Sequence, residues 1–338
     1  MAVTIYDIAK KCHCSTATVS KVLNGAGKIS NEKKEEILNA AKELGYVTNQ
    51  SARSLASSNK ASKLIGVVLH TLEDKSIAHE MFSNILNSFR MTMEKNGYDI
   101  CFLRNLTDED TLEYRDFIRA RDLDGVFILS ADMTEKKIIQ LLEEDVPLVA
   151  FDVTTAKYQV HSNNTEVVAE MVDYLCKMGH RRICYVYPHD YGVSQQRYEG
   201  FLLGLERNNI PFDERMIIKA PFFSHNSAEL ATDAALNSGY EPTVIMYPDD
   251  YTAIHAIPYL RKLGLKVPHD ISITGFDGIE IGTAVRPSLV TIRQNAKETG
   301  MAAGNMLLKL INKEVIDTPV KVVNSSLVLG HSVSEIEK

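Results

Sequence analysis

The sequence predicts a small all-α head of helix-turn-helix type followed by a larger α/β body of two lobes. Three observations lead there. Residues 4–45 carry three capped apolar stripes at helical spacing, the chain beyond residue 60 alternates β-rich apolar runs with helical patterns, and the charge divides between the two regions. At 338 residues the chain is longer than one core usually holds. Hydrophobic residues at 45% and charged residues at 24% place it among ordinary globular proteins, and no apolar run approaches a membrane span. Net charge is −7, yet residues 1–60 hold nine bases against five acids, which leaves a local +4 on a body of −11. A basic head on an acidic body implies that only the head meets a polyanion.

In the head, Thr4 caps a first helix, with Asp7 three residues on as the acidic partner of a capping box. Ile5, Ile8, Ala9 and Cys12 form its buried stripe. Ser15 offers a second N-cap, and Val19, Val22 and Leu23 make a second stripe that ends near Asn24-Gly25. Ser30 caps a third helix in which Ile37, Leu38, Ala41 and Leu44 repeat, with Gly45 as its stop. In a helix-turn-helix the second helix lies in the major groove and presents its first residues to base edges. Here those are Thr16, Ala17, Ser20 and Lys21, with Thr18 and Asn24 near the flanking backbone and the hydroxyls of Thr4 and Ser15 at the helix starts. Lysine can donate to guanine O6 and N7, hydroxyls serve either role, and alanine can touch a thymine methyl. A helical hairpin with a solvated polar face would produce the same periodicity.

The triplet Cys12-His13-Cys14 invites a metal reading. A zinc knuckle wants four ligands, whereas these cysteines are one residue apart and the next, Cys101, lies in the other region. No metal is expected. Cys12 fits the first stripe as a small hydrophobe, and His13 falls at the turn, where a positive φ is expected.

In the body, strands are expected at 64–69, 100–103, 125–129, 148–151, 183–187, 216–219, 243–247 and 271–276, and helices at 81–96, 165–178, 194–208 and 251–263. This alternation implies parallel sheets covered on both faces, with a ligand pocket between two lobes beyond the strand ends.

The wording of the head is more specific than its periodicity. TIYDIAKKCHCSTATVSKVLNG, then KISNEKKEEILNAAKELGY and NQSARSL, resembles the DNA-binding head of the LacI/GalR family of transcription regulators. The resemblance continues, in order, through KLIGVVL, NGYDICFL, LDGVFIL, PLVAFD, MGHRRICYV, RYEGF, LGLKVPHDISITGFDG and PSLVTIRQ. It implies a periplasmic-binding-protein-like (type I) body. The expected domains are a helix-turn-helix at 1–47, a hinge at 48–61 and an effector-binding and dimerisation domain at 62–330. Within the last, the N-lobe would span about 62–161 and 292–325, and the C-lobe about 162–291. The resemblance also implies a hinge helix whose Leu55, preceded by Arg53 and Ala52, wedges into the minor groove of operator DNA. One departure is that Thr48 stands where the family has a proline.

For the ligand, the resemblance points to Asp277, Arg197, Asp152, Asp249 and Phe222, with Ser76 and Ile77 on the N-lobe wall. Asp249 departs from the family's asparagine, and a carboxylate only accepts. An acidic pocket with one arginine suits a neutral polyol or an amino sugar better than a sugar phosphate. The function implied is a homodimeric repressor of a carbohydrate-utilisation operon that binds double-stranded operator DNA and a small effector, a sugar first. A nucleobase or a protein partner as the signal, or a sugar receptor or enzyme carrying a borrowed head, are the alternatives.

Enzyme chemistry has little support. GxSxG, Walker, GxGxxG and HExxH patterns are absent, His79-Glu80 lacks a second histidine, and Asp249-Asp250 sit side by side at a strand end rather than across a cleft. No cofactor is expected. The absence of a secretory segment and the five scattered cysteines suggest a cytoplasmic protein, and the lack of a heptad tail suggests a dimer.

Overall fold

The computed structural model describes residues 3–23, 29–46, 62–69, 78–188, 192–220 and 226–336. The expectations placed on Asn24, Thr48, Ala52, Arg53, Leu55, Ser76, Ile77 and Phe222 lie outside the described residues. The chain divides into two compact units, residues 1–64 with a short piece at 122–124, and the remainder.

The first unit contains helices α1 (Ile5–Lys11), α2 (Thr16–Leu23) and α3 (Asn31–Leu44). Their apolar stripes meet in one small core of Ile8, Ala9, Cys12, Val19, Val22, Ile37, Ala40 and Ala41. Ile8, Val19 and Ile37 are fully buried, each contributing about 2 kcal/mol of hydrophobic stabilisation. Gly45 ends α3 at φ 66°, a left-handed position that glycine adopts without a Cβ penalty.

The second unit carries strands β1 (Leu64–Leu69), β2 (Asp99–Phe102), β3 (Gly125–Ser130), β4 (Leu148–Phe151), β5 (Gln159–Ser162), β6 (Ile183–Tyr187), β7 (Ile217–Lys219), β8 (Val244–Met246), β9 (Ser272–Thr274), β10 (Thr291–Arg293), β11 (Val320–Val323) and β12 (Ser326–Val328). Its helices are α4 (Glu80–Lys95), α5 (Tyr114–Ala120), α6 (Lys136–Leu142), α7 (Asn164–Lys177), α8 (Gly192–Arg207), α9 (Ser227–Leu236), α10 (Asp250–Lys262), α11 (Ile281–Ala284) and α12 (Ala296–Ile311).

The strands form two sheets, β11-β5-β4-β3-β1-β2 and β7-β6-β8-β9, plus the antiparallel pair β10-β12. Each sheet is the floor of one lobe. Strand β6 shows why its sequence reads as an unbroken apolar run. Ile183, Tyr185 and Tyr187 face one core, while Cys184 and Val186 face another on the opposite side.

The chain passes between the lobes near residues 162–164, 293–296 and 323–326, and polar side chains tie these passages together. Ser162 Oγ donates to Gln294 Oε1 (2.7 Å), and Asn163 Oδ1 accepts from Ser325 N (2.7 Å). Residues beyond 325, which the sequence leaves outside both lobes, return to the second sheet. Ser332 Oγ donates to Ile273 O (2.7 Å) and Ser334 N donates to Ser272 Oγ (3.1 Å).

Both lobes seat a glycine-bearing helix against a neighbour. A Cβ on Gly200 of α8 would strike Thr165 O, and one on Gly204 would lie 2.5 Å from Val172 of α7. In the first lobe, a Cβ on Gly300 of α12 would strike Ile85 O, and one on Gly304 would lie 2.8 Å from Thr92 of α4. Glycines four apart occupy one helix face, so each pair lets two backbones approach closely.

Candidate DNA-reading face and ligand site

Helix α2 is fixed at its start by Ser15, whose Oγ accepts from Thr18 N (3.1 Å) and lies 2.8 Å from Thr18 Oγ1. Val19 and Val22 bury one face against α1 and α3, which leaves Ala17 and Lys21 exposed one turn apart, with Thr16 and Ser20 half-buried beside them. Lys21 and Ala17 therefore share the outward face, as base contact by a second helix requires. Thr4 is used differently. Asp7 Oδ2 accepts from both its backbone N–H and its hydroxyl at 2.8 Å, so this hydroxyl is occupied in starting α1.

The turn between α1 and α2 is set by packing. His13 adopts φ 47°. Cys12 is buried and its burial pushes the thiol pKa up, while its carbonyl accepts from Lys33 Nζ of α3 (2.7 Å), a lysine also held by Glu36 (2.8 Å). Among the described residues no cluster of three metal-binding side chains exists. Lys33 thus ties the turn to α3, a role that no local sequence pattern signals.

In the body, the polar residues gather where the lobes meet. Asp277 follows β9 at φ 103°, with Gly278 (φ 68°) packed against Arg293. Its Oδ1 accepts from Gln294 Nε2 (2.8 Å), and its Oδ2 lies 3.4 Å from His79 Nε2. Burial alone would raise the Asp277 pKa, but His79, Arg197 and Gln294 together hold it below the ordinary carboxylate value.

Arg197 of α8 is buried, donates to Asn164 Oδ1 (3.0 Å) and stacks 3.6 Å above the ring of Phe276. It lines a small cleft with Tyr185, Ser194, Tyr247, Thr274 and Phe276. Thr274 Oγ1 is buried there without a hydrogen-bond partner among the described residues.

Asp152 ends β4 at φ 54°, and its Oδ1 is likewise buried without a partner among the described residues. Burial pushes its pKa up to about 6, opposed by Arg197 and His161 and reinforced by Asp277. Such an atom is an acceptor aimed where a ligand hydroxyl or amine could donate.

Asp249 and Asp250 have separate tasks. Asp249 caps α10, accepting from Thr252 N (2.8 Å) and Thr252 Oγ1 (2.7 Å), so its two oxygens are engaged within its own helix. Asp250 accepts from Ile279 N (2.9 Å) and Thr291 Oγ1 (2.5 Å), fastening the loop that carries Asp277 to the start of α10. Burial first, then the charges of Asp277 and Asp249, push the Asp250 pKa well above the ordinary range. The two side chains diverge and do not form a paired catalytic site.

The structure thus brings Asp152, Arg197 and Asp277 to one place, with Asp249 beside them in a capping role. His79, Asn164, Gln294 and Tyr251 join them, none of which the sequence marks as part of this cluster. Gln294 was visible only as the last letter of PSLVTIRQ, and His79 only as half of a failed metal motif.

Comparison with known proteins agrees with this architecture. The family model for bacterial regulatory proteins of the lacI family matches residues 4–49, and that for the periplasmic binding protein-like domain matches residues 172–333. The ribose operon repressor of Halalkalibacterium halodurans is 30% identical over 345 residues, covering 98% of this chain and 99% of that protein. The chain belongs to the lacI family. Catabolite control protein A of Priestia megaterium is 26% identical over 330 residues, 95% of this chain and 96% of that protein. Among solved structures, the Lac repressor dimer bound to operator and the anti-inducer ONPF superposes with a TM-score of 0.84 at 24% identity, covering 99% of this chain and all of that one. A regulator of the same family from Enterococcus faecium with bound ribose gives 0.70 at 22% identity over 81% of this chain and 100% of that one. These likenesses establish the fold, a lacI-type head on a two-lobed periplasmic-binding-protein-like body. This lacI-family chain is thereby a DNA-binding transcription regulator, and the Halalkalibacterium halodurans relative is named a repressor. Among the described residues no helix is long and apolar enough to cross a membrane.

Proposed function

We propose that this regulator represses a carbohydrate-utilisation operon, and that a sugar bound between its lobes modulates its affinity for the operator. The observation that carries the proposal is the pairing, in one chain, of a capped helix exposing Ala17 and Lys21 with a cleft where acceptors and one arginine converge. Relatives named as a ribose operon repressor and a regulator with bound ribose support a sugar. In this reading α2 enters the major groove, two subunits read a pseudo-palindromic site, and the head, hinge and body fall at 1–47, 48–61 and 62–330.

Asp152 and Asp277 accept from ligand hydroxyls, Arg197 donates, and Thr274 offers a hydroxyl of either sense. Phe222, Ser76 and Ile77 complete the ligand set, and Leu55 with Arg53 contacts the minor groove. The protein works in the cytoplasm and performs no chemistry on its ligand. Operator and effector are linked by a reciprocal coupling free energy, so a sugar that weakens DNA binding is itself bound less tightly on DNA.

A gel-shift titration at fixed salt, on the DNA upstream of the protein's own gene, tests this. A specific shift that a sugar from a panel of pentoses, hexoses and amino sugars weakens or strengthens is expected. No specific shift in any condition would defeat it.

A further inference from the structure

Asp152 Oδ1, just past the end of β4 in the first lobe, is buried without a hydrogen-bond partner among the described residues. So is Thr274 Oγ1, at the end of β9 in the second lobe, where Thr274 lines the small cleft. A hydroxyl can donate or accept, so Thr274 suits any polyol. A carboxylate demands more. One donated hydrogen bond satisfies its oxygen but leaves its charge uncompensated, and an unpaired buried charge is costly.

The protein's own cation does not meet that demand. Arg197 donates from Nε to Asn164 Oδ1 (3.0 Å) and from Nη1 to the Pro248 carbonyl (3.5 Å), and its face lies on the Phe276 ring (3.6 Å). Its charge reaches Asp152 only from a distance. Burial raises the Asp152 pKa, Arg197 and His161 offset only part of that rise, and Asp277 reinforces it. Against its own burial, His79, Arg197 and Gln294 hold Asp277 ionised. Asp277 therefore adds negative charge near Asp152 instead of relieving it.

We propose that the effector is an amino sugar whose ammonium group is bound by Asp152, with a ring hydroxyl of the same molecule at Thr274. The proposal deepens the reading of this cleft as a sugar site and rests on it. An ammonium brings three donors and a positive charge, so it satisfies Oδ1 and neutralises the carboxylate together. A ring hydroxyl in its place satisfies the oxygen alone. An N-acetyl group keeps an N–H but loses the charge, and a phosphate adds an anion beside Asp152 and Asp277. Because the two acceptors come from different lobes, a ligand that engages both ties the lobes together.

Isothermal titration calorimetry of the full chain at pH 7, without DNA, tests the assignment. The titrants are glucosamine, galactosamine, mannosamine, 3-amino-3-deoxyglucose and 6-amino-6-deoxyglucose, each beside its parent hexose and its N-acetyl derivative. At least one amine should bind about tenfold more tightly than both of its counterparts. Asp152→Asn, which is nearly isosteric, should remove that preference and bring the amine to within about threefold of its parent hexose. The comparison of the three ligands on the unaltered protein decides the matter if the variant does not fold. A parent hexose that binds as tightly as its amine would overturn the proposal while leaving the sugar reading of the cleft standing. A preference that Asp152→Asn leaves intact would overturn it in the same way. Binding by no sugar in the panel would defeat both the amine and the sugar reading.

Discussion

Asp152 combines a buried acceptor without a partner among the described residues with a raised pKa. Its folded pKa of about 6 stands above the ordinary aspartate value of 3.8, so the folded state holds that proton more tightly than the unfolded chain. The stabilisation is full below about pH 4 and is lost as pH rises through about 6. Asp152→Asn should remove this slope. In urea unfolding at pH 4.5 and 6.5, the unaltered protein should lose about 1–2 kcal/mol relative to the variant over that interval, less than the full shift implies because the residue is only half-buried. Equal slopes would show that Asp152 stays ionised. In the head, Lys33 clamps the carbonyl of Cys12 at the turn that aims α2. Lys33→Met should lower the unfolding midpoint of the head by about 5 °C in a thermal scan followed by circular dichroism. An unchanged midpoint would mean that α3 braces the turn by apolar packing alone.

At the level of elements, the helix and strand patterns show what sequence can and cannot reveal. Capped stripes placed α1, α2 and α3 because each signal is local, and the expected positive φ at His13 is found at 47°. The eight expected strands all appear; most are apolar runs buried on both faces, although β2 and β7 are partly exposed. Strands β5, β10, β11 and β12 escaped notice. They are three or four residues long, as several of the expected strands also are, and β11 exposes Val320, Lys321 and Val322, so no alternation marks it. The close helix pairs were also invisible, because a glycine four residues from another has many causes. Gly300→Ala would place a Cβ against Ile85 O and force α12 away from α4. A loss of about 1–3 kcal/mol in urea unfolding is expected. Gly282→Ala, whose Cβ would meet Leu289 at an ordinary 3.5 Å, should change stability little.

For the whole molecule, the proposed ligand site depends on contacts that the chain makes across long separations. Asp277 and Arg197, the proposed ligand contacts, each sit in a recognisable phrase of sequence. His79 does not, because its partner lies almost 200 residues away and nothing local couples them. Asp249, whose carboxylate accepts two bonds from Thr252 as a helix cap, has that role from a local contact that its strand-end position does not reveal. The charge division, by contrast, is a whole-chain property visible in composition alone, and it assigns DNA binding to the head.

The central claim is that α2 reads a specific DNA sequence. The most direct measurement is fluorescence anisotropy of the full chain on the fragment upstream of its own gene and on a shuffled fragment, at several salt concentrations, with and without Lys21→Ala. The unaltered protein should bind the upstream fragment at least a thousandfold more tightly, and Lys21→Ala should reduce its affinity there by about 1–3 kcal/mol while lowering that ratio. Equal affinity for both fragments, or a Lys21→Ala protein that discriminates as well as the unaltered one, would contradict the account.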